Sequence, residues 1–313
     1  MIAIRALSSR VHGLGHLFRS IRLADALGAR GEEVIILPEE NSASRSTLDG
    51  CGHRWHSFAF DGETRWIADL VREFEIATWI NDRLATPRPE ALAITQAGAR
   101  FVTFDDEGDG SALSALNVAA LPGVAASLLQ GQRVLRGLEY LVLDPEFRAR
   151  RRVRASLEQI LVAIGGTDTY ALTPRVAQVL KNHPARVTLL LGPGSEANLQ
   201  RSRLAEDFEV ICGTPSLARL FERFDLAVTA GGIMPFEANC TGLPCVIIST
   251  EPWERGNAED LAARGGAVHA GYRDSFDPRA LLAGRDLGSM SKKAMLAVDG
   301  LGLSRVVEAI YRQ

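Results

Sequence analysis

The chain has 313 residues, 46% of them hydrophobic and 23% charged, with 35 Lys and Arg against 38 Asp and Glu. A net charge of −3 supplies no basic field for nucleic acid or anionic lipid, and no segment approaches the ~20 consecutive apolar residues that span a bilayer. The length suits two domains of roughly 150 residues each. The first residues lack the apolar run of a secretory leader. The four cysteines, Cys51, Cys212, Cys240 and Cys245, form no Cys-x-x-Cys pair and read as reduced packing residues of a cytoplasmic protein.

In chain order, an apolar strand at 2–6 leads through the glycine-pinned turn Gly13-Leu14-Gly15-His16 into a helix over 15–30. Leu17, Ile21, Leu23, Ala24 and Leu27 recur there at helical spacing. A short apolar run at 33–37, bounded by Gly31 and Pro38, reads as a buried parallel strand and closes one βαβ unit. The pattern then predicts a small helix at 44–48, strands at 54–58, 75–80 and 100–104, and helices at 65–74 and 89–97. Such alternation marks a doubly wound parallel sheet.

Between 110 and 154 the periodicity weakens to apolar pieces at 113–121 and 140–143. The basic run from Arg148 to Arg154 reads as a solvated helix or linker at a domain boundary. Strands are then predicted at 160–164, 186–191, 208–211, 226–229, 245–248 and 267–270, with helices at 172–182, 257–264 and 303–311. The fold class is α/β, with two doubly wound, Rossmann-like domains at 1–152 and 153–313. The closing helix is expected near the domain junction.

His16 is the residue to explain. It stands on the first turn of a helix, beside free backbone N–H groups where an anionic substrate docks. Positive potential at a helix start disfavours imidazolium, and a neutral imidazole is a candidate general base; the alternative is a histidine that only caps the helix. The strand at 100–104 runs into Asp105-Asp106-Glu107-Gly108-Asp109-Gly110. These acids leave the carboxyl end of a parallel strand, where ligands of open sheets bind, and suit either sugar hydroxyls, a divalent metal or a solvated turn. No metal is assigned to them. His53 and His56 near Cys51 suggest a metal cluster, but strand residues three apart point to opposite faces.

A second stretch carries the nucleotide reading. Gly231-Gly232-Ile233-Met234-Pro235-Phe236-Glu237 follows a strand and opens a helix, and paired glycines admit a diphosphate close to the backbone. Glu237 is placed to accept bonds from ribose hydroxyls. Gly165-Gly166-Thr167 supplies a second backbone nest for phosphate oxygens. Asn257 is a further polar contact.

On these residues the chain resembles the two-domain GT-B superfamily, in which two Rossmann-like domains face each other across a cleft. Within it, the chain is similar to the UDP-sugar hydrolases of pseudaminic acid biosynthesis, which cleave UDP-2,4-diacetamido-2,4,6-trideoxy-β-L-altrose. Arg5-Ala6, Ser9, Gly13, Gly15-His16 and Arg19 look like that family's opening block. Phe104-Asp105-Asp106 looks like its Asp-Asp strand end, Tyr140 to Phe147 like its linker, and Ile164 to Asp168 like its first C-terminal turn. The stretch from Gly231 to Pro244 also resembles the donor site of the related peptidoglycan N-acetylglucosaminyltransferase.

The resemblance implies a UDP-sugar substrate and no cofactor. His16 would be the base that activates water, with Gly13, Gly15, Arg19 and Asp106 on the sugar side. Gly165, Gly166, Thr167, Gly231, Gly232, Ile233, Glu237 and Asn257 would lie on the UDP side. The chain departs from the family pattern at Leu7, in the segment after Asp106, and at Ile233. The alternative is a GT-B glycosyltransferase in which the same base deprotonates an acceptor hydroxyl.

Overall fold

The computed structural model describes residues 1–7, 15–38, 45, 47–57, 64–123, 127–166, 168–192 and 207–312. Two compact units divide the chain, one of residues 1–144 with 301–313 and the other of residues 145–300.

The first unit carries β1 (Ile2–Ala6), α1 (Gly15–Gly28), β2 (Val34–Pro38), β3 (Arg54–Trp55), α2 (Arg65–Glu73), β4 (Thr78–Asp82), α3 (Arg88–Gln96), β5 (Arg100–Phe104), β6 (Leu116–Ala119) and β7 (Val134–Arg136). Its seven strands run parallel in the order β3-β2-β1-β4-β5-β6-β7. A parallel sheet is covered on both faces, and alternate residues of β1 serve two cores. Ile2, Ile4 and Ala6 pack with Leu17, Leu23 and Leu27 of α1, while Ala3 shares the opposite face with Ile67, Trp79, Ile94 and Phe101. Arg5 is the charged exception on that opposite face. It is 4% exposed, pairs with Glu90 of α3 and lies over the Trp66 ring.

Two strands here were not predicted. β6 and β7 have four and three residues, too few for alternation to show. β4 also runs on past the predicted end at Ile80, because Asn81 and Asp82, poor strand formers, are buried and bonded. The glycine at the end of α1 follows expectation: Gly31 adopts φ +89°, a conformation that halts a right-handed helix.

The second unit carries α4 (Pro145–Ala149), β8 (Gln159–Ala163), α5 (Leu172–Leu180), β9 (Arg186–Leu191), β10 (Glu209–Cys212), α6 (Leu217–Phe221), β11 (Leu226–Thr229), α7 (Met234–Cys240), β12 (Cys245–Ser249), α8 (Glu254–Ala263), β13 (Ala267–Tyr272), α9 (Arg279–Leu282) and α10 (Leu287–Ala297). Its six parallel strands follow the order β10-β9-β8-β11-β12-β13. Ile160, Val162, Val228, Val246 and Ile248 pack with Leu172, Val176 and Leu180 of α5 in one core.

The division of the chain differs from the expected cut at 152/153. The arginine run is not a solvated linker; it staples the second unit. Arg151 donates to the carbonyls of Cys240, Met295 and Val298, and Arg152 to those of Glu222 and Phe224. Arg154, 1% exposed, donates to Arg152, Thr241, Phe221 and Phe224. These oxygens cluster at the carboxyl ends of α6, α7 and α10, where helices leave carbonyls unpaired and partial negative charge collects. Burial, with Arg152 beside it, pulls the Arg154 guanidinium down to about 9.

The last helix, α11 (Gly302–Tyr311), forms where predicted but belongs to the first unit and not to the expected 153–313 domain. Leu303, Val306, Val307 and Ile310, spaced i, i+3, i+4, i+7, bury against the core of the first unit. Arg100 ties it down by donating to Ile310 O and, at 2.8 Å, to Arg312 O. No helix among the described residues is long and apolar enough to cross a membrane.

Candidate functional site

At the carboxyl edge of the first sheet, four charged or titratable side chains meet. His16 stands on the first turn of α1 and Arg19 one turn on, so both share one helix face. β4 and β5 are neighbours with Asp82 opposite Phe104, which sets Asp82 and Asp105 side by side as the strands end. Asp82 Oδ1 lies 2.7 Å from His16 Nδ1. Arg19 forks onto Asp82, with Nε donating to Oδ2 at 2.8 Å and Nη2 to Oδ1. Its Nη1 donates to Asp105 Oδ2 at 2.5 Å. Ser20 Oγ donates to Asp82 Oδ2 at 3.3 Å, and the Phe104 ring centre lies 5.1 Å from the guanidinium carbon.

The electrostatics fix the direction of the histidine bond. Burial alone would raise the Asp82 carboxyl, but the Arg19 guanidinium overrides it and, with His16, holds it well below the usual carboxylate range. Burial likewise works against the charge on Arg19, and Asp82 and Asp105 outweigh it. An ionised carboxylate only accepts. The 2.7 Å contact therefore needs a proton on Nδ1; in the neutral ring that leaves Nε2 as the bare nitrogen. With 17% of its side chain exposed, the ring retains access to solvent while Asp82, at 2%, does not.

Two residues expected on the sugar side have protein partners. Arg19 pairs with Asp82 and Asp105. Asp106 is fully buried. Its Oδ1 accepts from the backbone N–H groups of Thr86 and Gly108, both at 2.9 Å, and its Oδ2 from Thr86 Oγ1 at 2.5 Å. Burial raises the Asp106 carboxyl, which shapes the loop. Asp105, at φ +50°, is the acid that turns toward α1. Gly15 has open space where a side chain would stand; Gly13 and Thr167 lie outside the described residues.

The second unit presents backbone instead. At Gly165, with φ +127°, and at Gly166, no atom of the described residues lies within 4 Å of where a Cβ would stand. Asp168 caps α5 just beyond, accepting from the N–H groups of Leu172 at 2.8 Å and Thr173 at 2.9 Å. β8 and β11 are neighbours with Ala163 opposite Thr229, so the Gly165-Gly166 and Gly231-Gly232 turns emerge from adjacent strand ends.

The paired glycines differ in purpose. A Cβ on Gly231 would lie 2.7 Å from Glu254 Cβ, so this glycine lets the turn pack on α8. At Gly232 the nearest atom to a Cβ would be Glu254 Oε1, 3.8 Å away. Asn257, expected as a ligand contact, is fully buried and donates through Nδ2 to Gly231 O at 3.0 Å, supporting the turn from behind. Ile233 is 37% exposed, and Glu237 on α7 is 6% exposed.

Sequence reasoning missed Asp82 and Glu254, and named Asp105 only as one of the acids that follow β5. Glu254 is 5% exposed, and its Oε2 accepts from Thr250 N at 2.6 Å, Thr250 Oγ1 at 3.0 Å and Glu251 N at 3.3 Å. A carboxylate that opens a helix and follows Ser-Thr-Glu-Pro was the available signal. The histidine-cysteine group near Cys51 is no metal centre: His53 Nε2 lies 2.7 Å from Asp25 Oδ1. Among the described residues, no three His, Cys, Asp or Glu side chains are placed to hold a metal ion. His269, for which the sequence suggests no partner, has its Nε2 3.0 Å from Ser249 Oγ. All four cysteines are unpaired.

The chain is similar to known proteins on both levels. A spore coat polysaccharide biosynthesis protein of Bacillus subtilis, SpsG, is 27% identical across 96% of each chain. An uncharacterized protein of Methanocaldococcus jannaschii, MJ1062, is 23% identical over 86% of this chain, which spans 59% of that protein's length. No protein-family model matches. Among solved structures, MurG of Acinetobacter baumannii superposes with a TM-score of 0.71 at 16% identity, covering 100% of this chain and 99% of that one. The glycosyltransferase VinC in complex with dTDP gives 0.67 at 17% identity over 98% and 99%. The spinosyn rhamnosyltransferase SpnG complexed with thymidine diphosphate gives 0.64 at 15% identity over the whole of both chains. The two parallel-sheet units have the GT-B fold.

Proposed function

We propose that the protein is a nucleotide-sugar hydrolase that releases UDP and free sugar from a UDP-linked amino or deoxy sugar of the pseudaminic acid type. The reaction proceeds with inversion and without a metal. The observation that carries this reading is the 2.7 Å bond between His16 Nδ1 and Asp82, on a ring with 17% of its side chain exposed, which in the neutral ring leaves Nε2 bare. Such a nitrogen takes a proton from water as the water oxygen attacks the anomeric carbon. The bond from that carbon to the diphosphate oxygen breaks, and UDP departs with the bonding electrons.

Support for a sugar nucleotide comes from the GT-B fold, from the polysaccharide-biosynthesis role in the name of the Bacillus relative, and from two neighbours bound to thymidine diphosphate. In this reading the open nests at Gly165-Gly166-Thr167 and Gly232-Ile233 receive the diphosphate. Glu237 reads the ribose, and Glu254 Oε1 accepts from a hydroxyl of the ligand. Gly13 and Gly15 shape the turn beside His16.

A second reading, transfer of the sugar to an acceptor hydroxyl activated by His16, is favoured by the glycosyltransferases among the structural neighbours. Incubation with a panel of UDP-sugars and no acceptor separates the two. Equal amounts of free sugar and UDP, lost in His16→Ala, are the expected result. Intact donors across the panel, turned over only when an acceptor is added, would establish transfer instead.

A further inference from the structure

Asp82 bonds His16 directly, but Asp82 is itself held, and the hold decides what the imidazole can do. We infer that Arg19 and Asp105 are positioning residues that act through Asp82 to keep His16 in the tautomer with its proton on Nδ1. The inference rests on the proposed role of His16 as a base, since only that tautomer leaves Nε2 able to take a proton.

Two other arrangements of this cluster are available in principle. Asp82 could carry the proton and donate it to Nδ1. The Arg19 fork opposes this, because both carboxylate oxygens already accept from the guanidinium, Oδ2 from Nε at 2.8 Å and Oδ1 from Nη2, and protonation would remove the negative charge that makes those bonds strong. Alternatively, Arg19 could donate to His16. Its Nη2 stands within hydrogen-bond range of His16 Nδ1, at 3.2 Å against 2.7 Å for Asp82 Oδ1, so a small pivot of the guanidinium would make this N–H the ring's principal partner in place of Asp82. Nδ1 would then be the bare nitrogen and the ring proton would move to Nε2, turning the base into a donor.

Asp105 blocks the pivot. It grips Nη1, on the far arm of the guanidinium, at 2.5 Å. Asp105 is in turn fixed by β6: its N–H donates to Val118 O at 2.9 Å, and its Oδ1 accepts from Ala120 N at 3.3 Å. The left-handed backbone at φ +50°, which asparagine and aspartate tolerate better than most residues, aims the carboxylate at α1. With Nη1 held by Asp105 and Nε by Asp82, the fork stays on Asp82.

Ring-15N labelling of histidine in the full chain tests this at about pH 8, where an ordinary imidazole is neutral. Two-bond proton–nitrogen spectra report which ring nitrogen carries the proton, and His16 is assigned by comparison with His16→Gln. The wild-type protein is expected to show His16 with Nδ1 protonated. Asp105→Asn, which preserves shape, is expected to shift the tautomer ratio toward Nε2–H at least fivefold, and Arg19→Lys to shift it in the same direction. Asp105→Glu should restore part of the wild-type ratio, and His53, bonded to Asp25, should be unmoved throughout. A wild-type His16 protonated on Nε2 would overturn the inference, as would an unchanged ratio in folded Asp105→Asn. Failure to turn over any UDP-sugar would sink the proposed function while leaving the tautomer result standing, so the two failures are read separately.

Discussion

The carboxyl edges of the two sheets are built from opposite materials. In the first unit the edge is made of side chains that bond one another: His16, Arg19, Asp82 and Asp105 use their charge internally, and one nitrogen is left over. In the second it is made of glycine backbone, with Gly165, Gly166 and Gly232 leaving space where side chains would be. Proton transfer needs a group of fixed orientation and charge, which a braced side chain supplies. A large anion needs several N–H donors at close range, and those come from chain with nothing in the way. In the proposed function, one parallel-sheet architecture thus yields a reactive edge or a receptive edge, depending on the residues at the strand ends.

The contrast breaks most sharply at His16. His16→Ala is expected to lower turnover of the UDP-sugar by about 10²–10⁴-fold, the usual contribution of a general base, while the dissociation constant for UDP, measured by calorimetry, stays within twofold. Loss of UDP binding in that variant would merge the two roles that the two edges separate.

Arg154→Met comes next, as an effect on stability alone. Four carbonyls lose one hydrogen bond each while keeping another donor, the Arg152 N–H on Thr241, Arg152 Nη2 on Phe224, the Phe224 N–H on Phe221 and Ser291 Oγ on Arg152, so at ~0.5–1.5 kcal/mol for each hydrogen bond lost the cost is expected to be about 2–4 kcal/mol. Denaturant unfolding of the second unit reads it. The glycine turn is probed by a pair. Gly231→Ala places a Cβ 2.7 Å from Glu254 Cβ and is expected to cost about 1–3 kcal/mol through overpacking. Gly232→Ala, whose methyl would meet Glu254 Oε1 at an unstrained 3.8 Å, should leave the melting temperature unchanged and weaken UDP binding.

Acid should act on the first unit through Asp82. Its folded carboxyl lies below the value of about 3.9 in an unfolded chain. The stabilisation it contributes is therefore complete above that value and is lost as pH falls toward the folded one. Asp106, raised by burial, works in the opposite sense. Asp82→Asn isolates the first effect: less stable at neutral pH, the variant is expected to lose less stability than wild type on going from about pH 6 to 3, monitored by the fluorescence of buried Trp79. Smallest of all, Thr103 Oγ1 is buried without a hydrogen-bond partner, so Thr103→Val should be neutral or stabilising by up to about 1 kcal/mol.

Much of the fold was legible because the principal strands are apolar and bounded by glycine or proline, and the long helices bury one stripe. The site was legible only in part. Gly165 and the paired glycines come directly after strands, and His16 follows a glycine pair at the start of a helix, where local sequence announces the turn. Asp82 and Asp105 act through contacts to α1 from 63 and 86 residues away, which no local pattern encodes. Asp106 and Asn257 have the composition of ligand contacts, yet burial gives them structural partners instead. The arginine run misled for the same reason: its partners are carbonyls brought together by helix ends that are distant in the chain.

The placement of α11 against α1 has a consequence for synthesis. The sheet that begins the chain lacks part of its covering until residues 302–311 have been made, whereas residues 145–300 hold every strand of their own sheet. On a ribosome, where segments condense as they emerge, the later-encoded unit is expected to reach its native packing first. Clipping the tail should then loosen the front of the molecule and spare the back.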